Sequence, residues 1–149
     1  MRRSARRAAG RDSDAGTIAR GGGSVQRRPR SGDDAVEPCL FCRIAAKQIP
    51  STLVFENERL VAFRDIAPKA PVHVLVVPRE HLPTVNDFRA AHEPLVGEMI
   101  RVAAAIAAQE GIAQTGYRLV FNCNAEAGQV VYHVHLHLLG GWGRKTDLA

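Results

Sequence analysis

Hydrophobic and polar positions along the chain predict two helices and five strands after a long polar stretch. Apolar residues at helical spacing predict a short helix over residues 41–48 and a long helix over 94–110, with Pro94 in its first turn and Gly111 as a stop signal. Short β-branched and aromatic runs predict strands over 52–56, 60–65, 72–77, 117–122 and 131–139. The order β-β-β-α-β-β with short links predicts an α+β domain on a mostly antiparallel sheet.

The first 38 residues lack this periodicity. They are rich in Arg, Ala, Gly and Ser, and Ile18, Val25 and Val36 are their only larger aliphatic residues. We therefore predict a disordered, Arg-rich tail over 1–38 and one folded domain over 39–149, a length typical of a single domain. The longest apolar runs, 74–77 and 102–108, are far shorter than the roughly 20 residues of a membrane-spanning helix, so no membrane partner is expected.

The charge is concentrated in the tail. The whole chain has a formal net charge of +5 and a pI near 9.6, values that suggest a nucleic-acid partner. However, residues 1–30 hold nine arginines and two aspartates, a net charge of +7, whereas residues 31–149 hold 11 basic and 13 acidic groups, a net charge of −2. A nucleic-acid partner is therefore expected only through the tail, if at all.

Three interpretations of the tail remain open: a solvated tail or over-long start of translation, an organellar transit peptide, and an arm that contacts a phosphate backbone. The first is favoured, because Asp12 and Asp14 are unsuited to a transit peptide. Three cysteines are too few for a secreted disulfide framework and favour a reducing compartment. We expect a cytoplasmic protein, or a mitochondrial one if the tail is a transit peptide.

Three histidines alternate with apolar residues near the end of the chain, in the run Tyr-His-Val-His-Leu-His-Leu-Leu-Gly-Gly over 132–141. In a strand, His133, His135 and His137 would share one face. A transition-metal site fits only partly, because alternate Cα atoms lie about 6.5–7 Å apart. An imidazole nucleophile fits better, since Asn122 and the pair Gly128-Gln129 could offer amide donors to a phosphoryl oxygen.

This pattern resembles the signature of the histidine-triad superfamily of nucleotide hydrolases and transferases. The flanks Gly128-Gln129-x-x-Tyr132 and Gly140-Gly141 are similar to its Hint branch, and the resemblance covers roughly residues 39–142. It implies a HIT-like fold with an antiparallel sheet of about five strands, one long and one short helix, and a homodimer. It also implies a purine nucleotide bound across one face of the sheet.

The resemblance implies a role for each matching residue. His135 would attack the α-phosphorus and become a nucleotidyl-histidine, His137 and His133 would orient groups and protonate, and His73 would be a buried fourth histidine. Asp65 would accept hydrogen bonds from the ribose hydroxyls, although it could also simply cap a turn. The purine and phosphate contacts implied are Leu40, Phe41, Ile44, Phe63, Ile66, Asn122, Gly128 and Gln129. The aromatic and aliphatic residues among them are equally typical of a core.

The implied activity is hydrolysis of the P–N bond of purine nucleoside phosphoramidates, which releases a nucleoside monophosphate and an amine. One alternative is a dinucleoside polyphosphate hydrolase or nucleotidyl transferase of the same superfamily. Gly140-Gly141 stand where the diadenosine-polyphosphate branch carries an arginine two residues after the signature. Another alternative is a non-catalytic nucleotide-binding scaffold dimer, because Val130 stands where many Hint-branch members have a serine.

Cys39 and Cys42 form a Cys-x-x-Cys pair, which is half of a tetrahedral zinc site. The resemblance implies that His73 and His133 complete the site, so we expect a structural zinc and no organic cofactor. His81 matches no motif and is expected to lie on the surface.

Overall fold

The computed structural model describes residues 39–144. The expected tail over 1–38 and the last five residues of the expected domain lie outside the described residues. Neither of the described α-helices is long and apolar enough to cross a membrane.

Five antiparallel strands form one sheet, as the hydrophobic pattern predicts. In chain order they are β1 (Leu53–Glu56), β2 (Leu60–Arg64), β3 (Val72–Pro78), β4 (Tyr117–Phe121) and β5 (Leu136–Gly140). Their spatial order is β1-β2-β3-β5-β4, with every neighbouring pair antiparallel. The last strand therefore inserts between β3 and β4, and this places the histidine-rich segment in the middle of the sheet.

Two helices pack against the sheet, and the alternation along β3 shows that they lie on opposite faces. The long helix α2 (Glu93–Gln109) buries Met99 and Ile106 against Val74 and Val76. The short helix α1 (Leu40–Ala45) packs with the intervening residues of β3, Leu75 and Val77. Because successive side chains of a strand point to opposite faces, the sheet is covered on both sides.

The strand predicted over 131–139 begins only at Leu136. The ladder between β3 and β5 ends at the pair Val76–Leu136. Continued in the same register, the ladder would pair Val77 with His135 and then Pro78 with Val134, but the backbone N–H of Val134 donates to the carbonyl of Leu82 at 2.7 Å. Pro78 has no backbone N–H, and its carbonyl oxygen lies 2.6 Å from Nε2 of His133. His133 and His135 therefore lie in irregular backbone before the strand, although Val134 and Leu136 still alternate into the core beside α2.

Candidate active site

The three histidines lie on the face of the sheet that α1 covers. The ring of Phe41, from α1, meets His135 edge-on with centroids 4.9 Å apart and also contacts His133 at 6.2 Å. The rings of His135 and His137 are 4.8 Å apart. The expected clustering of the triad on one face thus occurs, with α1 as its apolar cover.

His135 is held in one tautomer by the backbone carbonyl of His133. Its Nδ1 lies 2.7 Å from the carbonyl oxygen of His133. A carbonyl oxygen only accepts, so Nδ1 carries the proton and donates. The neutral ring therefore keeps an unshared pair on Nε2, which is the form that a nitrogen nucleophile requires.

A second chain of contacts fixes the proton positions on His73 and His137. The backbone N–H of Lys69 donates to Nδ1 of His73 at 3.0 Å, so a neutral His73 carries its proton on Nε2. That Nε2 lies 2.9 Å from Nδ1 of His137 and 3.5 Å from Oδ2 of Asp65. The shorter contact makes Nδ1 of His137 the acceptor and leaves its proton on Nε2.

The Nε2–H of His137 points toward Asn122, at the end of β4. Nε2 of His137 lies 3.5 Å from Nδ2 of Asn122. An N–H on the histidine requires the amide oxygen of Asn122 on that side, an orientation that follows from the hydrogen-bond chain. The Nε2–H of His137 and the side-chain amide of Asn122 thus lie next to each other in the site.

Burial keeps these imidazoles neutral at pH 7. It lowers the pKa of His137 to about 4, with His135 and His73 adding electrostatic opposition to a positive charge. It also lowers the pKa of His135 and of His73, while Asp65 opposes the shift in both. Burial disfavours the charged form of these rings more than Asp65 favours it, so the resting site presents lone pairs rather than imidazolium ions.

The residues expected to hold the purine differ in their exposure to solvent. Phe41, Ile44 and Phe63 are buried together, and the rings of Phe41 and Phe63 are 5.4 Å apart. Leu40 is 40% exposed and Ile66 is 96% exposed. The two exposed residues are the ones with free apolar surface, whereas Phe41 and Ile44 of α1 pack with Phe63 of β2 in the core.

Asp65 performs the turn-capping role that its sequence context allows. Its Oδ1 accepts the backbone N–H of Ala67 at 2.8 Å. Its Oδ2 faces His73. The carboxylate is thus fixed at the end of β2 beside the histidine chain, with its side chain 20% exposed.

The two N–H groups expected to contact phosphate are engaged elsewhere. The backbone N–H of Gly128 donates to the carbonyl of Ala125 at 3.0 Å, and that of Gln129 donates to Asn124 at 3.1 Å. The Gln129 side chain is buried and also bonded within the protein. Of the three phosphate-side residues expected from the sequence, the structure brings only Asn122 into contact with a triad histidine.

A second cluster joins the cysteine pair, and it corrects the predicted ligand set. Ligand atoms of Cys39, Cys42, His81 and His133 all lie within 4.8 Å of one another. His73 belongs instead to the group with Asp65 and His137. The physical reason is the register: His73 pairs with Leu139 near the start of β3, whereas the cysteines gather at the other end of β3, beside Pro78.

His81, expected on the surface, is thus the residue that sequence reasoning missed. It follows the end of β3 by three residues. A signal was present in the sequence, because antiparallel pairing of β3 with the histidine strand places the residues just after 77 beside the residues just before 135. The first histidine of the triad therefore meets His81 rather than His73.

The residues present fit a tetrahedral zinc ion. Nδ1 of His133 lies 3.4 Å from each cysteine Sγ and 3.2 Å from Nδ1 of His81, which in turn lies 3.2 Å from Sγ of Cys42. Zinc–sulfur and zinc–nitrogen bond lengths imply ligand separations of about 3.3–3.8 Å, close to these values. Nε2 of His133 donates to Pro78, so Nδ1 presents its lone pair to the cluster.

Burial keeps the groups of this cluster uncharged. Burial, with Cys39 beside it, raises the pKa of the Cys42 thiol to about 12. Burial likewise lowers the pKa of His133 to about 4. A bound cation would reverse the first shift and stabilise the thiolate, and the neutral imidazole is already in the metal-binding form.

Comparison with known proteins gives one family and many relatives. Residues 38–145 match the family described as "Scavenger mRNA decapping enzyme C-term binding". The chain is 53% identical to the protein named "Purine nucleoside phosphoramidase" of Escherichia coli strain K12, over 105 residues that cover 70% of this chain and 88% of that protein. It is 42% identical to "Adenylylsulfatase HINT1" of Arabidopsis thaliana, over 70% of this chain and 71% of that protein.

Solved structures show the same fold. The crystal structure of a HIT family hydrolase from Legionella pneumophila Philadelphia 1 is 50% identical in sequence and superimposes with a TM-score of 0.69. The match covers 72% of this chain and 94% of that one. The five-stranded antiparallel sheet with one long helix is therefore shared with proteins of similar sequence.

Proposed function

Because the chain belongs to the histidine-triad superfamily of nucleotide hydrolases and transferases, we propose that it hydrolyses the P–N bond of purine nucleoside phosphoramidates. The observation that carries the proposal is the tautomer of His135, whose Nδ1–H is donated to a backbone carbonyl and whose Nε2 keeps its lone pair. The name of the Escherichia coli relative supports this choice of substrate.

In the first step, Nε2 of His135 attacks the α-phosphorus. The new N–P bond forms as the P–N bond to the amine breaks. The amine leaves with the Nε2 proton of His137, which is an imidazolium while the substrate is bound and becomes a neutral imidazole in this step. The carbonyl of His133 holds the Nδ1 proton of His135 and so stabilises the positive charge that the ring develops. The product of this step is a nucleotidyl-histidine at His135.

In the second step, water attacks the same phosphorus and displaces His135. Nε2 of His137, having lost its proton to the amine, accepts one from the attacking water. The nucleoside monophosphate then leaves and both rings return to their starting tautomers. The step consumes one water molecule and restores the enzyme without any other reactant.

The low pKa of His137 suits this role once substrate is bound. In the free protein, burial and two neighbouring imidazoles lower the pKa to about 4. A bound phosphoryl group places negative charge beside the ring and favours its protonated form. His137 is thus protonated when the substrate that needs its proton is bound. The Asp65 carboxylate, next to His73 in the same chain of contacts, stabilises the positive charge on the ring.

The nucleoside is proposed to lie beside the exposed apolar residues of the same face. Ile66 and Leu40 offer the free apolar surface for the base. Asp65 directly precedes Ile66 and its Oδ2 lies 3.5 Å from Nε2 of His73, which suits hydrogen bonds from ribose hydroxyls to its carboxylate.

A second candidate differs in the leaving group. The Arabidopsis relative is named an adenylylsulfatase, so an adenylyl compound with a leaving group other than an amine is a specific alternative. Val130 is 85% exposed and has no hydrogen-bonding group. The side chain of Val130 therefore cannot protonate the leaving group, and this role falls to His137. Amines depend on protonation far more than sulfate does.

We expect substrates to separate these activities. An AMP–lysine phosphoramidate should have a kcat/KM at least about tenfold higher than adenylyl sulfate or a diadenosine polyphosphate, because only the amine requires the proton on His137. Steady-state release of AMP from all three compounds, measured on one preparation, provides the comparison. A preference for either of the other substrates contradicts P–N specificity, and tight AMP binding without any turnover favours the scaffold alternative.

His137→Ala should slow amine release selectively. Loss of the general acid is expected to reduce kcat for an AMP–alkylamine by about 10²–10⁴-fold, but to reduce it much less for an activated aryl ester of AMP. The matched control is His92→Ala, whose ring contacts Glu80 and the backbone of Arg89 rather than the triad. Equal losses on both substrates would show that His137 does not protonate the leaving group.

Zinc is proposed as a structural ion bound by Cys39, Cys42, His81 and His133. These four residues complete a tetrahedral set, which is typical of structural rather than catalytic zinc. When bound, it would cross-link α1 to the segment before β5 and take no part in the phosphoryl steps.

The homodimer stays a prediction. Strand β4 lies at one edge of the described sheet, and a second copy could pair with this edge. A measurement of the molar mass in solution decides whether the protein is a dimer.

A further inference from the structure

We propose that Gln129 is a positioning residue that holds the loop before the triad in its reactive shape, and that its side chain does not bind phosphate. The proposal rests on the proposed function, because the loop in question carries Asn122 at one end and leads into His133 at the other. We call residues 122–131 the bracing loop.

The Gln129 side chain uses its hydrogen-bonding capacity within the protein. Its Oε1 accepts the backbone N–H of Asn124 at 2.8 Å. Its Nε2 donates one proton to the carbonyl of Pro83 at 2.8 Å and the other to the carbonyl of Val131 at 3.1 Å. An amide has only two N–H donors, so none remains for a phosphoryl oxygen.

These three bonds join segments that each carry a site residue. Asn124 lies two residues after Asn122, which contacts His137. Val131 lies two residues before His133, and Pro83 lies two residues after His81. One buried side chain, 5% exposed, therefore connects the end of β4, the approach to the triad and the segment that follows β3.

The bracing loop needs such a support because its backbone is strained. Asn124 has φ of +69°, a conformation that L-residues other than glycine adopt rarely and at a cost. Both backbone polar groups of Asn124 bond to Gln129, the N–H to its Oε1 and the carbonyl to its backbone N–H. Such a conformation persists only where the surroundings over-determine it, and Gln129 supplies that determination.

The consequence for the reaction concerns rate more than binding. Without the brace, Asn124 can relax to negative φ, and Asn122 would then shift relative to Nε2 of His137. A displacement of about 1 Å in a reacting or positioning group can cost about 10²-fold in rate. The nucleotide itself would lose no direct contact, because Gln129 makes none.

Two substitutions test the proposal by kinetics. Gln129→Met keeps the length and removes every bond, whereas Gln129→Glu keeps an acceptor for Asn124 but faces the carbonyls of Pro83 and Val131 with an oxygen. We expect both to reduce kcat on an AMP–amine by about 10²-fold while KM and the Kd of AMP change less than about threefold. Gln114→Glu, at an exposed position, is the control and should match the wild type.

Opposite results overturn the proposal. A Kd for AMP raised by tenfold or more, with kcat retained, would make Gln129 a phosphate ligand. A lower melting temperature with unchanged kcat per folded molecule would make it only a stabilising residue. Either result, if found in both variants, would reject the positioning role of Gln129.

A measurement on the wild-type chain covers the case in which the variants fail to fold or the protein fails to hydrolyse phosphoramidates. The side-chain NH₂ of Gln129 should give slowly exchanging NMR signals that inorganic phosphate and AMP leave in place, because both protons are bonded to carbonyls. Rapid exchange, or a large shift on adding phosphate, rejects the brace. Unshifted signals in a protein without hydrolase activity would uphold the brace while the proposed function fails.

Discussion

His135→Ala should abolish turnover while leaving nucleotide binding nearly intact. We expect kcat on an AMP–lysine phosphoramidate to fall by about 10⁴–10⁶-fold, because the nucleophile has no substitute in the site and the effects of such residues on rate are of this size. The Kd of AMP should change only a few-fold, since the ring contributes through the bond that it forms. Single-turnover hydrolysis and equilibrium binding of AMP measure the two quantities.

Two observations make that experiment specific for a covalent mechanism. Wild-type protein quenched during turnover should carry one nucleotidyl group, located at His135 by mass spectrometry of its peptides. In His135→Gly, added imidazole should restore part of the rate, since it supplies the missing nitrogen nucleophile from solution. Full activity in His135→Ala, or a nucleotidyl group at another histidine, contradicts the mechanism.

Loss of the cysteine pair should have the largest effect on stability. For the double variant Cys39→Ser, Cys42→Ser, we expect the zinc content to fall from about one ion per chain to a small fraction of that. A ligand present at 1,000 times its Kd stabilises the fold by about 4 kcal/mol. In a domain of this size, each kcal/mol changes the melting temperature by about 4 °C, so a decrease of about 15 °C is expected.

Single-residue variants distinguish the ligand set found in the structure from the one predicted from the sequence. His81→Ala should reduce the zinc content, whereas His73→Ala should not, because His73 contacts His137 and Asp65 instead. Cys123→Ser is the matched thiol control, since Cys123 lies outside the cluster. Zinc retained by the double cysteine variant, or lost from His73→Ala, would overturn the assignment.

Where the hydrophobic pattern is strong, it predicts the fold nearly to the residue. The long helix predicted over 94–110 runs from Glu93 to Gln109, and the strand predicted over 117–122 spans Tyr117–Phe121. These elements are predictable because side-chain spacing along helices and strands is fixed by local geometry. The strand of the histidines was predicted five residues too early at its start, since the alternation continues through backbone that bonds to loop residues and side chains and not to a neighbouring strand.

In the candidate site, too, local relations were predictable from the sequence and contacts between distant residues were not. The sequence alone determined that His133, His135 and His137 alternate with apolar residues, that Cys39 and Cys42 are spaced for a metal, and that the net positive charge lies before residue 31. Each of these is a relation between near neighbours, which covalent spacing fixes.

The tertiary structure decided which distant residues meet. Antiparallel register places His81 rather than His73 beside the cysteines, and the β3–β5 ladder ends at Leu136, beyond which the backbone N–H of Val134 donates to Leu82 and not to β3. Burial then turns Gln129 inward to three backbone groups. Contacts such as His81 with His133, 52 residues apart, and Cys39 with His133, 94 residues apart, depend on register and on where each strand stops, and no local spacing in the chain encodes either.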